Sequence, residues 1–395
     1  MPSPTDSHGA PSPVPGTAPP IRVLHVHSSQ GLYGPERWTH LLLRSTRSPR
    51  VQFRVLTLGD KPGYDEFARF LVREGFAASH LSIAGKVSRA SIASIRNHVV
   101  EHGMHIVHTH GFKSDVLGYL ATRGLGVRLV TTPHGWCDHE GLRIRAYETI
   151  GRMFLAGFDR VYPLSDHQAA LLSRRRRLRS RVRCIRNAVD IDAFTDVLEQ
   201  RRTTPLAADA PILFVGRLRQ EKGILELVQA FATVAASDAA VRLVMAGAGP
   251  DREAAEALAA RLGVASRVRF LGFCADVRPL FASARCLALP SYSEGIPRVV
   301  MEAFSAGVPV VSTEIPGVRE LVTHGETGLL ARVRNVEDLA HALTTIVSDP
   351  EGAQRMATAA RRVIERDYSP QRLVAELDEE YEALVRANAA PTEAP

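Results

Sequence analysis

The chain has 395 residues, which is long enough for two domains that each bury a sizeable core. Its composition, 45% hydrophobic and 23% charged, is typical of a globular protein, and no apolar run reaches the roughly 20 residues needed to cross a bilayer. The formal charge of +7 predicts anionic partners, while four scattered cysteines without a C-x-x-C pair argue against a zinc site or a disulfide framework.

The first predicted element is a disordered tail over residues 1–20, which are rich in Pro, Ser, Thr and Gly. This segment lacks the basic start and apolar core of a signal peptide, so the protein is expected to stay in the cytoplasm. Residues 21–188 then alternate short apolar runs with helical patterns, which predicts a Rossmann-like domain with a doubly wound parallel sheet. Strands are predicted at 21–27, 51–58, 105–108, 128–132, 160–163 and 182–185, and helices begin near residues 34, 64, 88, 112 and 141.

A charged, Thr/Pro/Ala-rich stretch at 189–209 loses this periodicity and is predicted to be an interdomain linker. A second alternating series over 210–367 predicts a second Rossmann-like domain, followed by a final helix over 368–388. The strands of the second domain are predicted at 211–215, 241–245, 267–271, 285–289, 308–312 and 328–331, and the helices of this domain at 224–233, 251–262, 297–305 and 336–347.

Two strand-to-helix turns carry glycines that would let the backbone approach a ligand. Gly31 and Gly34 lie in the first turn of the chain, and Gly249 lies in a Gly-Ala-Gly-Pro turn of the second domain. Neither turn matches the G-x-G-x-x-G dinucleotide pattern, since Arg252 stands where the third glycine belongs in the second. A nicotinamide enzyme is therefore disfavoured.

The turn after the first strand of the second domain contains Gly216, Arg217 and Lys222. Ligands of open α/β sheets bind at the carboxyl ends of strands, so both cations are expected to project towards a ligand. They could neutralise a departing diphosphate in place of a metal ion. The alternative is that they are ordinary solvated surface cations.

The stretch from Pro290 to Gly307 predicts a loop and a short helix that Pro297 opens and Gly307 closes. Ile296 has no side-chain oxygen to cap this helix, so the amides of residues 298–300 are expected to lack a protein partner. A phosphate is the natural ligand for such amides, because they carry the positive end of the helix dipole.

Two carboxylates, Glu294 in this loop and Glu302 on this helix, are eight residues apart and suited to accepting hydrogen bonds from sugar hydroxyls. The alternative is a surface helix with two solvated carboxylates. Near the other strand ends, His134 follows a strand of the first domain, and the turn containing Phe273 and Cys274 is expected to approach a base and phosphate through backbone groups.

The run from Pro290 to Val311, with Glu294 and Glu302, resembles the E-x7-E signature of retaining, family-four glycosyltransferases of the GT-B fold. Residues 216–223 are similar to the G-R-x-x-x-x-K-G motif of that family. Residues 28–37 resemble its glycine-rich first loop, with a Leu-Tyr insertion between the glycines. The D-x-D sequence at 190–192 has the residue types of a metal-chelating pair. It lies, however, in a segment similar to the family's hinge N-G-V-D, with Ala188 replacing the glycine, and is interpreted as that hinge.

This resemblance implies two Rossmann-like domains with parallel sheets facing a central cleft, and a C-terminal helix that crosses back to the N-terminal domain. It implies sugar transfer from a nucleotide diphosphate sugar to an acceptor hydroxyl with retention, without a metal or another cofactor. Catalytic roles are carried over to Arg217, Lys222, Glu294 and His134. Donor binding is carried over to Gly31, Gly34, Gly216, Gly249, Phe273, Cys274, Gly295, Ile296, Arg298, Val299 and Glu302.

The acceptor is expected to be a saccharide, by default lipid-linked and in a bacterial surface-polysaccharide or glycolipid pathway. Seven arginines between Arg174 and Arg183 form either a solvated surface loop or a contact with anionic lipid headgroups. No aromatic residue interrupts this arginine cluster, which disfavours nucleic acid. Two alternatives remain, a non-transferase GT-B enzyme such as a nucleotide-sugar epimerase and a basic nucleic-acid-binding protein.

Overall fold

The computed structural model describes residues 19–28, 31–83, 88–134 and 154–389. Most of the predicted tail and the helix predicted near residue 141 lie outside the described residues. The described chain forms two parallel sheets of six strands each, which confirms the prediction of two Rossmann-like domains.

The first sheet has the strand order β3-β2-β1-β4-β5-β6. Its strands are β1 (Ile21–His27), β2 (Val51–Leu58), β3 (Ala78–Leu81), β4 (Ile106–His110), β5 (Arg128–Thr131) and β6 (Arg160–Val161). The helices of this part are α1 (Gly34–Ser45), α2 (Glu66–Arg73), α3 (Arg89–Glu101), α4 (Phe112–Thr122) and α5 (Asp166–Ser173). β1 is one of the two central strands, and its last five residues are all buried, as expected of a parallel strand that helices cover on both faces.

The second sheet has the order β12-β11-β10-β7-β8-β9. Its strands are β7 (Ile212–Val215), β8 (Leu243–Ala246), β9 (Val268–Gly272), β10 (Cys286–Leu289), β11 (Val310–Thr313) and β12 (Leu329–Ala331). The remaining helices are α6 (Thr195–Thr203), α7 (Ile224–Ser237), α8 (Arg252–Arg261), α9 (Arg278–Ser283), α10 (Arg298–Ser305), α11 (Pro316–Arg319), α12 (Val336–Ser348), α13 (Pro350–Asp367) and α14 (Pro370–Ala389).

The last helix, α14, returns to the N-terminal domain and packs against α1, which confirms the predicted crossover. Its Leu377 and Tyr381 are fully buried in a cluster with Trp38 and Val23. The Tyr381 hydroxyl lies 2.7 Å from Nδ1 of His108, which is 273 residues earlier in the chain. The final helix is therefore part of the core of the first domain.

Several local predictions differ from the structure, and β3, α9 and α11 were not predicted. The strand predicted at 182–185 is reduced to one bridge between Val161 and Val182, because β6 offers only two residues for pairing. The predicted linker at 189–209 contains α6, whose Val197 packs into the core of the second domain. α13 was not predicted, because its buried face consists largely of alanines rather than large apolar side chains.

Candidate active site

The N-terminus of α10 lies at the carboxyl edge of the second sheet. Pro297 is its N-cap residue and offers no side-chain cap. The amide of Val300 donates to the Pro297 carbonyl at 3.1 Å, so the expectation that this amide is bare was wrong. The first turn of α10 is tight, so its third amide, that of Val300, already has an acceptor. Among the described residues, the amides of Arg298 and Val299 have no acceptor, and a ligand can still bind there.

Lys222 and Glu294, predicted on separate motifs, form an ion pair with Nζ and Oε1 2.5 Å apart. The Ser291 hydroxyl donates to the same carboxylate oxygen at 2.8 Å. An ammonium group carries three donors, so Lys222 can keep this pair and still donate to a phosphate. The pair therefore places a cation for phosphate and a carboxylate for hydroxyls side by side.

Backbone contacts hold these two side chains together. The amide of Tyr292 donates to the Glu221 carbonyl at 2.9 Å, which joins the loop of Glu294 to the turn of Lys222. Gly223 has a φ of +67°, and a Cβ there would lie 2.0 Å from the carbonyl oxygen of Pro290. Only glycine fits this left-handed position beneath the loop.

Tyr292, Glu226 and Arg334 form a second support for the same loop, which we call the tyrosine clamp. The Tyr292 hydroxyl lies 2.5 Å from Glu226 Oε1, and the Arg334 guanidinium lies 4.4 Å from the centre of the Tyr292 ring. Burial raises the pKa of Tyr292 to about 12, so it remains a neutral donor. Arg334 has a φ of +61°, which is rare for a residue other than glycine. The tyrosine clamp was not predicted, because no sequence motif near Arg334 indicates a contact with Tyr292.

Inside α10, Arg298 faces Glu302, with Nη2 and Oε1 3.6 Å apart. Burial raises the pKa of Glu302, and the nearby Arg298 and Arg37 oppose that shift. Burial also lowers the pKa of Arg298. Arg37 belongs to α1 of the N-terminal domain, so the charge of one domain acts on the site of the other.

The other predicted residues of the second domain lie at the same sheet edge. Arg217, which follows β7, is exposed and has no ion-pair or hydrogen-bond partner for its side chain among the described residues. Gly249 packs so closely on the preceding turn that a Cβ would lie 2.1 Å from the Leu218 carbonyl oxygen. Phe273, which follows β9, is 80% exposed, and the thiol of Cys274 contacts the Gly272 carbonyl at 3.7 Å. The structure thus brings Gly216, Arg217, Gly249, Phe273 and Cys274 to one rim.

A cavity of about 100 Å³ lies between the two domains. From the N-terminal domain it is lined by Gly34 and His134, and from the C-terminal domain by Ile296 and Arg298. Gly31 lies nearby in the same turn as Gly34 and donates to the Gly63 carbonyl at 3.1 Å. Gly295 lies against Gln168, another residue of the cavity wall. The glycine-rich turn, the histidine and the start of α10 therefore meet at this cavity.

The two domains also share a carboxylate, Glu320, which follows α11. Its two oxygens accept hydrogen bonds from the amides of Asp166 and His167, both at 2.8 Å. These amides begin α5 of the other domain, so Glu320 caps that helix across the domain boundary. The contact stabilises the present arrangement of the domains.

Five histidines cluster beside the cavity, and of these only His134 was predicted as a site residue from the sequence. His25 and His27 on β1 are in register with His108 and His110 on β4, and His134 follows β5. Burial lowers the pKa of His134 to about 3 and holds the pKa values of His25, His108 and His110 well below their usual range. Ring nitrogens of these last three lie within 4.8 Å of one another, a spacing that could hold a metal ion. Those of His108 and His110 already form hydrogen bonds to protein groups.

The arginine cluster is mainly a surface feature. Most of its side chains are exposed, but Arg181 donates to the carbonyls of Ala156 and Phe158 at 2.7 and 2.6 Å and is structural. Within the described ranges, none of the helices combines the length and apolar character that a bilayer span requires.

Two sequence families match this chain on either side of the cavity. The glycosyl transferase 4-like domain matches residues 33–188, and the glycosyl transferases group 1 family matches residues 198–363. The chain thus contains a glycosyl transferase 4-like domain followed by a glycosyl transferases group 1 domain, and it has the GT-B fold.

Individual relatives agree with this family. Glycogen synthase of Mycobacterium tuberculosis is 32% identical over 209 residues, which are 52% of this chain and 50% of that protein. The lipopolysaccharide core biosynthesis glycosyltransferase LpsE of Rhizobium meliloti is 32% identical over 189 residues, 48% of this chain and 54% of that one. The chain thus spans about half the length of these curated relatives.

Solved structures share the fold over nearly the whole chain. Anabaena HepE, in complex with UDP and glucose, has a TM-score of 0.77 and 20% identity over 92% of this chain and 100% of its own. Sucrose-phosphate synthase of Thermosynechococcus elongatus has a TM-score of 0.75 and 20% identity over 93% of this chain and 100% of its own.

Proposed function

We propose that this chain is a retaining glycosyltransferase that moves a sugar from a nucleotide diphosphate sugar to an acceptor hydroxyl. The observation that carries the proposal is the pairing of Lys222 with Glu294 beside the free amides of Arg298 and Val299, opposite His134. A phosphate site and a hydroxyl site then lie next to each other in one cleft.

In this proposal the second domain holds the donor. Arg217, Lys222 and the N-terminus of α10 stabilise the diphosphate, and a metal ion is not needed because these groups supply fixed positive charge. Glu302 accepts from the ribose hydroxyls, and Glu294 accepts from the donor sugar. His134 closes the sugar pocket from the first domain.

The transfer step needs no covalent nucleophile from the protein. The bond between the anomeric carbon and the diphosphate oxygen breaks, and the acceptor oxygen forms a bond to the same face of that carbon. The acceptor proton passes to the departing phosphate oxygen. The charge that develops on the diphosphate is stabilised by Arg217 and Lys222, which are in place before the reaction.

UDP-sugars are our first choice of donor, since HepE has been seen with UDP and with UDP-glucose. For the acceptor we favour a lipid-linked saccharide of a bacterial surface polysaccharide or glycolipid, as LpsE acts in lipopolysaccharide core biosynthesis. The exposed arginines of the arginine cluster would then contact anionic headgroups at the inner face of the membrane, at about 1 kcal/mol each.

A panel of UDP-, GDP- and ADP-sugars tests the donor through the thermal stability of the protein. A ligand at 100 times its Kd adds about 2.7 kcal/mol to the stability, enough to raise the Tm by several degrees. A panel in which no nucleotide sugar raises the Tm would contradict the proposal. A sugar nucleotide that is converted without any acceptor would instead indicate an epimerase.

Arg217→Ala and Lys222→Ala are each expected to lower turnover by about 10² to 10³, the usual cost of losing one group that stabilises transition-state charge. Arg219→Ala is the matched control, because Arg219 is an exposed cation of the same turn that pairs with Glu221. If both variants turned over as fast as this control, the diphosphate site would be elsewhere. The anomeric proton coupling of the product tests retention separately, and an inverted product would contradict it.

A further inference from the structure

Three of the clustered histidines form a continuous chain of hydrogen bonds into the core. Nδ1 of His25 lies 2.8 Å from Nε2 of His110, and Nδ1 of His110 lies 3.0 Å from Nε2 of His134. His25 and His110 are buried, whereas His134 lines the cavity between the domains. This chain of hydrogen bonds thus connects the cavity to the centre of the first sheet.

Each ring in this chain is neutral, because burial holds the three pKa values below their usual range. A neutral imidazole carries one proton, which makes one ring nitrogen a donor and the other an acceptor. Each of the two hydrogen bonds needs one proton. Only two arrangements meet both conditions, and they run in opposite directions along the chain.

In the outward arrangement, His25 donates to His110 and His110 donates to His134, whose own proton is then on Nδ1. In the inward arrangement, His134 donates from Nε2, His110 donates to His25, and the proton of His25 is on Nε2. The two arrangements therefore differ in what His134 offers to a ligand. The outward one makes its Nδ1 a donor, and the inward one makes it an acceptor.

The inner end of the hydrogen-bond chain, at His25, favours one of the two proton arrangements. Nε2 of His25 is buried and has no hydrogen-bond partner among the described residues. The inward arrangement would bury an unpaired N–H group there, whereas the outward arrangement leaves only an unpaired lone pair. Unpaired buried N–H groups are the rarer case in proteins because they lose their hydrogen bond to water.

We propose that His25 and His110 are positioning residues that hold His134 as the Nδ1–H tautomer, so that it donates a hydrogen bond to a ligand oxygen in the cavity. The identity of that ligand, a sugar with hydroxyl oxygens, rests on the proposed function. The tautomer itself depends only on the hydrogen bonds of the protein. In this tautomer His134 selects for ligand groups that accept a hydrogen bond from its Nδ1.

The direct test is the ring ¹⁵N spectrum of the full-length, unliganded protein labelled at histidine. His134→Gln identifies the signals of His134 by their loss from the spectrum. We expect the shifts and couplings of a neutral ring with the proton on Nδ1. A ring with the proton on Nε2, a protonated ring or an averaged mixture would overturn the proposal, whether or not the protein binds a nucleotide sugar.

His110→Phe tests the consequence for binding, because it keeps a ring in place and removes the group that donates to His134. We expect the Kd of the nucleotide sugar to rise about tenfold, the value of one hydrogen bond. The Kd of the nucleotide diphosphate alone should change less than about twofold, since that ligand lacks the sugar. His98→Phe is the control, because His98 is a half-buried histidine on α3, outside the cluster.

Equal losses for both ligands in His110→Phe would indicate a structural role and overturn the positioning role. Failure of the wild-type protein to bind any nucleotide sugar would contradict the proposed function and leave the tautomer result standing. An Nε2–H ring together with normal sugar binding would overturn only this inference. The two proposals can therefore fail separately.

Discussion

At the scale of single residues, the site depends on close backbone packing as well as on its charged groups. Gly223 combines a left-handed φ with a carbonyl oxygen directly where a Cβ would be. The side chain that this arrangement serves is the adjacent Lys222, paired with Glu294. A change at Gly223 therefore acts on the ion pair without altering either charge.

We predict that Gly223→Ala lowers the free energy of unfolding by more than the roughly 1 kcal/mol that the left-handed φ alone costs, because Pro290 must also move. Gly263→Ala separates the two effects, since Gly263 has a φ of +72° with no atom within 4 Å of its Cβ position. Urea unfolding of both variants, with turnover measured alongside, checks this. Equal losses of stability would mean that the contact with Pro290 is unimportant.

At the scale of elements, β1 and β4 carry four buried histidines on neighbouring positions of the sheet. Three of the pKa values are held well below 6.5 by burial, and that of His134 is about 3. Such groups are neutral in the folded protein but take up protons in the unfolded chain below pH 6.5. Their contribution to stability is complete above that pH and decreases as the pH falls.

We predict that the free energy of unfolding decreases between pH 6.5 and 5, by up to about 1.4 kcal/mol per pH unit for each such histidine, and that the Tm falls with it. Asp115 acts in the opposite direction, because burial raises its pKa to about 6 and the folded state then gains stability as this carboxyl is protonated. The combined effect of His25, His108, His110 and His134 on the free energy of unfolding is larger than that of Asp115. Calorimetric scans from pH 8 to 5 measure the slope, and a Tm that does not change over this range would contradict the assignment of neutral rings.

At the scale of the whole molecule, two domains meet over a cavity whose walls come from both. Glu320 is a charged group that connects them, since it caps α5 from the other domain. A helix cap contributes about 0.5–2 kcal/mol. This is enough to change how often the domains separate, because domain closure depends on energies of a few kcal/mol.

We predict that Glu320→Ala raises the population of open conformations and increases the radius of gyration of the unliganded protein, measured by small-angle X-ray scattering. Glu314→Ala is the control, because Glu314 pairs with Arg319 inside its own domain. The two variants should differ in the scattering curve but little in the structure of each domain. If both gave the curve of the wild type, Glu320 would not hold the domains together.

The sequence by itself indicated most strands of both sheets and the contiguous motifs of the candidate site, whereas the crossing of the last helix was expected from the family resemblance. The strands and the motifs follow from local signals, since strand and helix periods extend over a few neighbouring residues and the motifs at 216–223 and 290–307 are contiguous. The predicted strand at 182–185 and the missed α13 show the limit, because short edge pairing and alanine-rich faces give weak local signals.

Only the tertiary structure decided which distant groups touch. Lys222 and Glu294 are 72 residues apart, and His25 and His110 are 85 apart. The strand order and register of a parallel sheet bring such residues together, and neither can be derived from the spacing of any one motif. The same reason explains why the tyrosine clamp and the histidine chain were not predicted, although every residue in them is plain in the sequence.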